Sequence, residues 1–287
     1  MKAYLILCKP RVVLLMLLTV WAGMYLAAPA SLPWALWITA TIGIALMSGA
    51  AATFNHVIDQ RVDRLMDRTK KRPLVTGSIS PLKASCFAIV LAIVGFLVLW
   101  LEVNALTAIL TLFTAIGYAA IYSIYLKRAT SQNIVIGGLS GAMPPLLGWT
   151  AATNHMSLDG WALVLIIFLW TPAHFWALCI HRYEDYKKTT IPMLPITHGI
   201  PFTKVNISIY SFLTVLSSLL PFALGMSRGI YLISAIVLGV GFMAYTLRLQ
   251  FSNHDSRIAI KTFRYSIIYL MILFVMLLVD HHINLLG

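Results

Sequence analysis

The chain has 287 residues, of which 60% are hydrophobic and 10% charged, and its formal net charge is +12. This composition excludes a soluble globular domain, in which about a quarter of the residues are charged. Apolar runs long enough to cross a hydrocarbon core of about 30 Å recur along the whole chain. We therefore predict an all-α polytopic membrane protein that forms a single transmembrane domain over residues 1–287.

Nine apolar runs predict nine transmembrane helices. The first run is longer than the apolar part of a usual signal peptide, so we expect it to be retained as a span. The predicted spans are Val12–Ala28, Trp34–Phe54, Ala84–Trp100, Ala105–Tyr125, Asn133–Thr153, Trp161–Ile180, Val205–Met226, Tyr231–Leu249 and Thr262–Val279.

The basic residues support this count and orient the chain. When the N-terminus and every second connection after it are taken together, they contain every lysine and arginine except Arg228. The positive-inside rule then places the N-terminus in the cytoplasm and the C-terminus outside. The net charge is thus an orientation signal that requires no nucleic acid as partner, although a basic face attracts anionic lipids of the bilayer and anionic substrates. Cys8, Cys86 and Cys179 form no CxxC pair, which predicts free thiols.

The most charged segment runs from Asn55 to Pro73, after the second apolar run. Its polar residues Asn55, Asp59, Asp63 and Asp67 are four apart, so on a helix they would share one slowly drifting face. Acids at this spacing repel one another, and a bound hard cation would turn the repulsion into attraction. Oxygen ligands with basic residues nearby suit Mg²⁺ that carries a phosphorylated substrate. The alternative is an ordinary solvated loop with weak surface ion pairs.

Two further spans carry features that favour a cavity. The fourth ends with tyrosines at helical spacing, which are typical of an aromatic belt, and among them Tyr122 is our candidate to face a site. The fifth opens at Asn133 and contains Pro144-Pro145, which predicts a break. Freed backbone groups at membrane depth need protein or a wet cavity around them.

The sixth span ends in a second mixed cluster. It contains His174, then His181 and Asp185 one helical step apart, with Arg182 and Lys188 among the adjoining bases. Ionisable groups in or beside a span tend to face the bundle interior. For His174 two alternatives stay open: a histidine that is hydrogen-bonded in the core, or contact with a substrate in the predicted cavity.

Together these residues resemble the intramembrane UbiA-type prenyltransferase superfamily, and within it the branch that farnesylates haem. The resemblance covers about residues 50–200. Its motifs are Asn55, Asp59 and Asp63; Met66, Arg68 and Thr69; Arg72-Pro73-Leu74; Tyr122; Leu126-Lys127-Arg128 and Thr130; the run from Asn133 to Gly138; Gly141-Ala142, Pro144-Pro145 and Gly148-Trp149; Asp185-Tyr186; and the run from Ile191 to Pro195.

The resemblance implies a nine-helix bundle around a central cavity, in the inner (plasma) membrane of a bacterial-type cell. Farnesyl diphosphate would be the donor and haem B the acceptor, with Mg²⁺ as cofactor and with haem A synthase or a terminal oxidase assembly as contacts. Metal ligands would be Asn55, Asp59, Asp63 and Asp185, and bases meeting the diphosphate would be Arg72, Lys127 and Arg128. Further candidates for substrate contact are Arg68, Asn133, His174, Arg182 and Lys188. The superfamily's second motif usually offers two acids four apart, whereas here the positions four before and four after Asp185 are His181 and Thr189.

The chemistry also fits the residues themselves. An allylic diphosphate ionises when metal and cationic side chains stabilise the departing charge, so no nucleophilic side chain is needed. The nearest alternative is a prenyltransferase for a quinone precursor. A transporter would use the polar residues of the Asn55–Pro73 segment and the broken fifth span as a path for its substrate, but the sequence has no inverted repeat. A purely structural membrane protein would leave the regular spacing of these polar residues unexplained.

Overall fold

The computed structural model describes residues 2–28, 32–253 and 256–286, with side chains described as far as Ile283. Within these ranges the chain forms helices and turns and contains no strand, which confirms the all-α prediction. The helices are α1 (Lys2–Leu7), α2 (Pro10–Ala27), α3 (Trp34–Asp63), α4 (Pro81–Glu102), α5 (Ala105–Ile116), a π-helix (Gly117–Leu126), α6 (Lys127–Ala129), α7 (Asn133–Ala142), α8 (Pro144–Thr153), α9 (Leu158–His181), α10 (Tyr183–Lys187), α11 (Leu194–Thr197), α12 (Gly199–Ser217), α13 (Leu220–Ala223), α14 (Gly229–Gln250) and α15 (Ser256–Leu286).

Nine helical segments of the described chain are long and apolar enough to cross a membrane, which confirms the predicted number. They are Pro10–Ala27, Trp34–Asp63, Pro81–Glu102, Ala105–Ala129, Asn133–Thr153, Leu158–His181, Gly199–Ala223, Gly229–Gln250 and Ser256–Ile283.

The second span is longer than predicted. We expected it to end at Phe54, but α3 continues without interruption to Asp63. Hydropathy marks only the apolar part of a helix. Here the helix goes on through polar residues, and Asn55, Asp59 and Asp63 each accept a hydrogen bond from a cationic side chain.

The fourth span changes its winding before it ends. After Ile116 the chain continues as a π-helix from Gly117 to Leu126, in which the Ser123 hydroxyl donates to the Tyr118 carbonyl oxygen at 2.8 Å. π-Helical turns are rare and are frequently found at functional sites. The sequence analysis did not anticipate this feature, which carries Tyr118, Tyr122 and Ser123.

The fifth span is broken, as predicted. Helix α7 ends at Ala142, Met143 lies outside both helices, and α8 begins with Pro144. The two prolines supply no backbone N–H to the preceding turn, so they can begin a helix but not continue one.

The chain divides into two compact units, and the first comprises the described parts of Met1–Ala129, Met143–Met156 and Lys188–Ile191. Within it α2 and α8 touch backbone to backbone. A Cβ atom on Gly23 would lie 2.0 Å from the Pro145 carbonyl oxygen, and one on Gly148 would lie 1.9 Å from that of Val20. Small residues thus let these two spans pack closely, as is typical in membranes.

The second unit comprises the described parts of Thr130–Ala142, Ser157–Lys187 and Pro192–Gly287. Its core includes fully buried Trp176, Tyr231 and Phe242. Asp280 is also buried, and its carboxylate accepts hydrogen bonds from the backbone N–H groups of Arg228, Ile230 and Tyr231 at the start of α14. A carboxylate at a helix N-terminus stabilises the unpaired N–H groups there. The expectation of a single domain stays a prediction.

Candidate active site

The C-terminal end of α3 presents three polar side chains that are almost completely buried. Asn55, Asp59 and Asp63 are 3%, 2% and 4% exposed. They lie four apart on one continuous helix and therefore share a face, as the spacing predicted. The alternative of a solvated charged face is wrong for these three residues.

Asp67 does not continue this face. Helix α3 ends at Asp63, and Asp67 lies in the following turns with its side chain 60% exposed. Hydrogen bonds from Lys70 and Lys188 lower the pKa of the Asp67 carboxyl. The expectation that all four polar residues would form one ladder is therefore corrected to three, and we call Asn55, Asp59 and Asp63 the polar ladder.

Each member of the polar ladder is hydrogen-bonded to its own cation. Lys9 Nζ donates to Asn55 Oδ1, Lys127 Nζ to Asp59 Oδ2 and Arg72 Nη1 to Asp63 Oδ2, each at 2.6 Å. The Lys127 and Arg72 side chains are only 14% and 19% exposed. Pairing of this kind explains how two acids four apart are tolerated on a buried helix face.

The ladder is also linked internally. The Asn55 amide donates to Asp59 Oδ2 at 2.8 Å and to the Ser123 hydroxyl of the π-helix at 3.0 Å. Both Asn55 donors are thus used, whereas Asp59 Oδ1 is buried and has no hydrogen-bond partner among the described residues. A buried carboxylate oxygen without a donor is costly, and a bound cation would satisfy it.

Lys9 is a site residue that the sequence analysis missed, since it was considered only for membrane orientation. It lies between α1 and α2, directly before Pro10, and its backbone is left-handed with φ 49°. Its ammonium group also lies 3.5 Å from the Tyr118 hydroxyl. Burial, assisted by the charge of Arg72, lowers the pKa of Lys9 to about 8.

The turns after α3 position Arg72. The Thr69 hydroxyl donates to the Asp63 carbonyl oxygen at 2.9 Å, and the Gln60 side chain donates to the Leu74 carbonyl oxygen at 2.7 Å. Leu74 in turn is buried in an apolar cluster with Leu7 and Ile79. The segment thus folds back along α3 and brings the guanidinium group to the ladder.

Two more residues near the ladder were not singled out from the sequence. Tyr118 places its hydroxyl near Lys9, and its ring stacks on that of Tyr122 with centroids 5.6 Å apart. That Tyr122 faces the site stays a prediction. His56 follows Asn55 and is 3% exposed, and neither ring nitrogen has a partner among the described residues. Leaving such a group unsatisfied costs about 1–3 kcal/mol. A polar ligand bound in this region would offer a hydrogen-bond partner to these side chains.

The other predicted bases are more exposed. Arg68 has an exposed side chain, and Arg128 is also exposed and donates to the Ile58 carbonyl oxygen at 3.4 Å. Lys188 lies 3.4 Å from Asp67. Their assignment as substrate-binding residues stays a prediction.

The donor set fits Mg²⁺. Among the described residues, no group of three His, Cys, Asp or Glu side chains is placed to hold a metal alone. Mg²⁺, however, usually takes one or two carboxylates together with water and substrate phosphates. The unpartnered Asp59 Oδ1, with Asp63 and the amide oxygen of Asn55, would supply the protein's share.

The second predicted cluster lies in the second unit and has a different geometry from that expected. Helix α9 ends at His181, Arg182 has non-helical angles, and Asp185 lies in the separate short helix α10. His181 and Asp185 are therefore not one helical step apart on a single helix. His181 Nδ1 lies 2.7 Å from the Ser256 hydroxyl, and Arg182 Nη1 lies 3.5 Å from Asp185 Oδ2. The polar cavity at this end of the unit has a volume of about 370 Å³ and is lined partly by these side chains.

His174 and Asn133 are also held within the second unit. His174 Nδ1 lies 2.7 Å from the Ser266 hydroxyl, and the ring stacks between Trp170 and Phe263. This geometry matches the hydrogen-bonded core histidine that was one alternative. The buried Asn133 side chain donates to the Thr130 carbonyl oxygen at 2.8 Å. Contact of either residue with a substrate stays a prediction.

An apolar cavity of about 270 Å³ lies within the first unit. Its walls come from α3, α4, α5 and the π-helix, which also carry the polar ladder and Ser123. The lining residues are Met47, Ala50, Ala51, Phe54, Ile58, Ala92, Leu112, Ala115, Ile116, Ala119, Ala120 and Ile124. The alanines of α3 therefore leave space beside the helix as well as permitting close packing.

The chain is similar in sequence to known proteins. The sequence matches the UbiA prenyltransferase family over residues 16–268. It is 57% identical to the protoheme IX farnesyltransferase of Marinobacter nauticus over 282 residues, which cover 98% of this chain and 93% of that protein. It is 56% identical to the protoheme IX farnesyltransferase of Legionella pneumophila (strain Corby) over 281 residues, which cover 98% and 95%.

Solved structures share the fold at lower sequence identity. A digeranylgeranylglyceryl phosphate synthase superposes with a TM-score of 0.82 at 20% identity, covering 98% of both chains. A UbiA homolog from Archaeoglobus fulgidus bound to GPP and Mg²⁺ superposes with a TM-score of 0.65 at 19% identity, covering 96% of this chain and 99% of that one.

Proposed function

Because this chain belongs to the UbiA prenyltransferase family, we propose that it transfers the farnesyl group of farnesyl diphosphate to haem B. That it is a membrane prenyltransferase follows from the family and from the nine apolar helical spans in the described part of the chain. The choice of farnesyl diphosphate and haem rests on the relatives named protoheme IX farnesyltransferase. The match to a family of prenyltransferases decides against the transporter alternative.

The observation that carries the proposal is the polar ladder with its cations. Two buried carboxylates and one amide oxygen face an ammonium or guanidinium group each, and Asp59 keeps one oxygen unpartnered. Such a site can accept a divalent cation and the diphosphate it carries, because it offers oxygen ligands to the metal and positive groups to the phosphate oxygens.

In the proposed reaction the bond between the allylic carbon and the diphosphate oxygen breaks, and the diphosphate leaves with the electron pair. Arg72 and Lys127 meet the oxygens on which this charge collects. The vinyl π electrons of haem B form the new carbon–carbon bond. Water then adds to the cationic carbon next to the porphyrin and loses a proton, which gives the hydroxyethyl-farnesyl product.

Bound Mg²⁺ would supply further positive charge to the departing diphosphate. Asn55, Asp59 and Asp63 would hold it, and a UbiA homolog solved with GPP and Mg²⁺ supports its use here. The contribution of Asp185 to a second metal site and the contact of His174 with haem remain parts of the proposal.

The apolar cavity of the first unit is our candidate for the farnesyl chain. Alanine and isoleucine side chains form its walls, so a hydrocarbon chain would be shielded there from water. An acceptor that is a quinone precursor is the remaining alternative. With that acceptor, the proposed binding site for farnesyl diphosphate would be unchanged.

We further propose that the N-terminus is cytoplasmic, the C-terminus is external, and the membrane is the bacterial inner membrane. The partition of basic residues supports this orientation. Contacts with haem A synthase or a terminal oxidase assembly stay a prediction.

The function is tested by the haem content of membranes that contain or lack the protein. Mass spectrometry of extracted haem should show haem B converted to a species heavier by one farnesyl group and one hydroxyl group when the protein and farnesyl diphosphate are present. A prenylated quinone precursor with unchanged haem would identify the alternative acceptor.

A further inference from the structure

The three cations at the polar ladder are not equivalent. Lys127 and Arg72 each face a carboxylate, but Lys9 faces the neutral amide oxygen of Asn55 at 2.6 Å. Five of these side chains are charged: Lys9, Arg72 and Lys127 are positive, and Asp59 and Asp63 are negative. The group therefore has one positive charge in excess. A prenyl diphosphate carries about three negative charges. With one Mg²⁺ it would bring one net negative charge, which matches the excess.

The backbone at Lys9 is a second and independent observation. Its φ is 49°, in the left-handed region that a residue with a Cβ atom rarely adopts. A conformation of this kind is strained, and such strain clusters at functional sites. Here it ends α1, starts α2 at Pro10 and turns the lysine side chain toward Asn55 and Tyr118.

We propose that Lys9 is a diphosphate-binding residue that occupies Asn55 Oδ1 only until the metal-bound substrate arrives. Asn55 Oδ1 is the atom that would bind Mg²⁺, so Lys9 and Mg²⁺ compete for it. With Mg²⁺ on this oxygen, the Lys9 ammonium group would move to an oxygen of the diphosphate, because each ladder carboxylate is already paired with its own cation. This inference rests on the proposed function, because it assumes that Asn55 and Asp59 hold the metal.

Lys9→Gln tests the assignment, because glutamine keeps a hydrogen-bond donor for Asn55 but removes the charge. Binding of inorganic pyrophosphate in the presence of Mg²⁺ is measured by calorimetry on the purified protein. We expect the affinity to fall about tenfold or more, the effect of losing one hydrogen bond to a charged group. Lys9→Arg should restore most of it. The control Lys2→Gln removes an exposed lysine on α1 and should bind pyrophosphate normally.

The metal-binding measurement separates a substrate contact from a merely structural role. Mn²⁺ replaces Mg²⁺, and its binding without pyrophosphate is followed by electron paramagnetic resonance. A diphosphate-binding Lys9 predicts that Lys9→Gln binds Mn²⁺ as tightly as the wild type or more tightly, since a competing charge is gone. If Lys9 only holds Asn55 in place, Mn²⁺ and pyrophosphate affinities fall together, and the proposal is wrong.

A measurement on the wild-type protein provides the second test and does not depend on any variant folding. A water-soluble amine-modifying reagent is applied, and the modification of Lys9 is measured by peptide mass spectrometry. Mg²⁺ with pyrophosphate should protect Lys9 more strongly than Mg²⁺ alone, which frees it from Asn55. Equal modification in both conditions would overturn the proposal.

Asp59→Asn, measured in parallel, distinguishes this inference from the proposed function. Loss of Mg²⁺-supported pyrophosphate binding in Asp59→Asn, with normal binding in Lys9→Gln, contradicts only the role of Lys9. Normal binding in both variants contradicts the metal site itself and therefore both proposals.

Discussion

Asp59→Asn is the substitution that tests the proposed mechanism most directly. Asp59 Oδ2 accepts from Lys127 Nζ at 2.6 Å and from the Asn55 amide at 2.8 Å, while Oδ1 has no partner among the described residues. An asparagine can place its carbonyl oxygen where Oδ2 stands and its amino group where Oδ1 stands. Both hydrogen bonds are then kept, while the negative charge and the unpartnered oxygen are removed.

The magnitude follows from this geometry. Deleting one partner of a buried ion pair costs about 3–5 kcal/mol. Here the amide oxygen still accepts from Lys127, whose side chain remains 14% exposed, so we expect a smaller loss of about 1–3 kcal/mol in the free energy of unfolding. The variant should insert and fold.

Turnover should fall severely even though the variant folds. The metal loses a charged ligand, and Lys127 is left without the anion that balances it. A loss of about 3 kcal/mol in stabilisation of the departing diphosphate corresponds to roughly a hundredfold decrease in rate. The assay is formation of farnesylated haem by purified protein across a Mg²⁺ titration. Haem B binding should be unchanged.

Asp67→Asn is the matched control. Asp67 belongs to the same charged segment and contacts two cations, Lys70 at 2.6 Å and Lys188 at 3.4 Å, but it is exposed and lies beyond the end of α3. Its substitution should leave turnover near normal. Normal turnover in both Asp59→Asn and Asp63→Asn would show that the ladder does not serve the reaction, and the mechanism would be refuted.

Four further outcomes are expected. A reporter fused to the C-terminus should read as external, and a cytoplasmic signal would contradict the proposed orientation. His174→Ala should weaken haem B binding without affecting farnesyl diphosphate. Unchanged haem spectra would leave this histidine as a core residue hydrogen-bonded to Ser266. Gly23→Ala should lower the melting temperature because its Cβ would lie 2.0 Å from the Pro145 carbonyl oxygen. Gly141→Ala, whose Cβ would have nothing within 4 Å, should not. Ala119→Phe should fill the apolar cavity and weaken the binding of farnesyl diphosphate more than that of a shorter prenyl diphosphate; equal weakening would place the chain elsewhere.

The sequence by itself determined the class of protein and the core of the candidate site. Nine apolar stretches predicted nine spans because the free energy of transferring a side chain into lipid depends on local composition. The four-residue spacing of Asn55, Asp59 and Asp63 predicted a shared helix face because helical periodicity is local too. Pro144-Pro145 predicted the break in the fifth span for the same reason.

Tertiary structure decided which charges meet. Lys9 and Asn55 are 46 positions apart, and Lys127 and Asp59 are 68 apart, so no local pattern could pair them. The end of α3 at Asp63 left Asp67 in solvent, although the spacing continued through it. Partners across distant helices are selected by which arrangement satisfies every buried polar group at once. That condition depends on the whole packed unit rather than on any single segment.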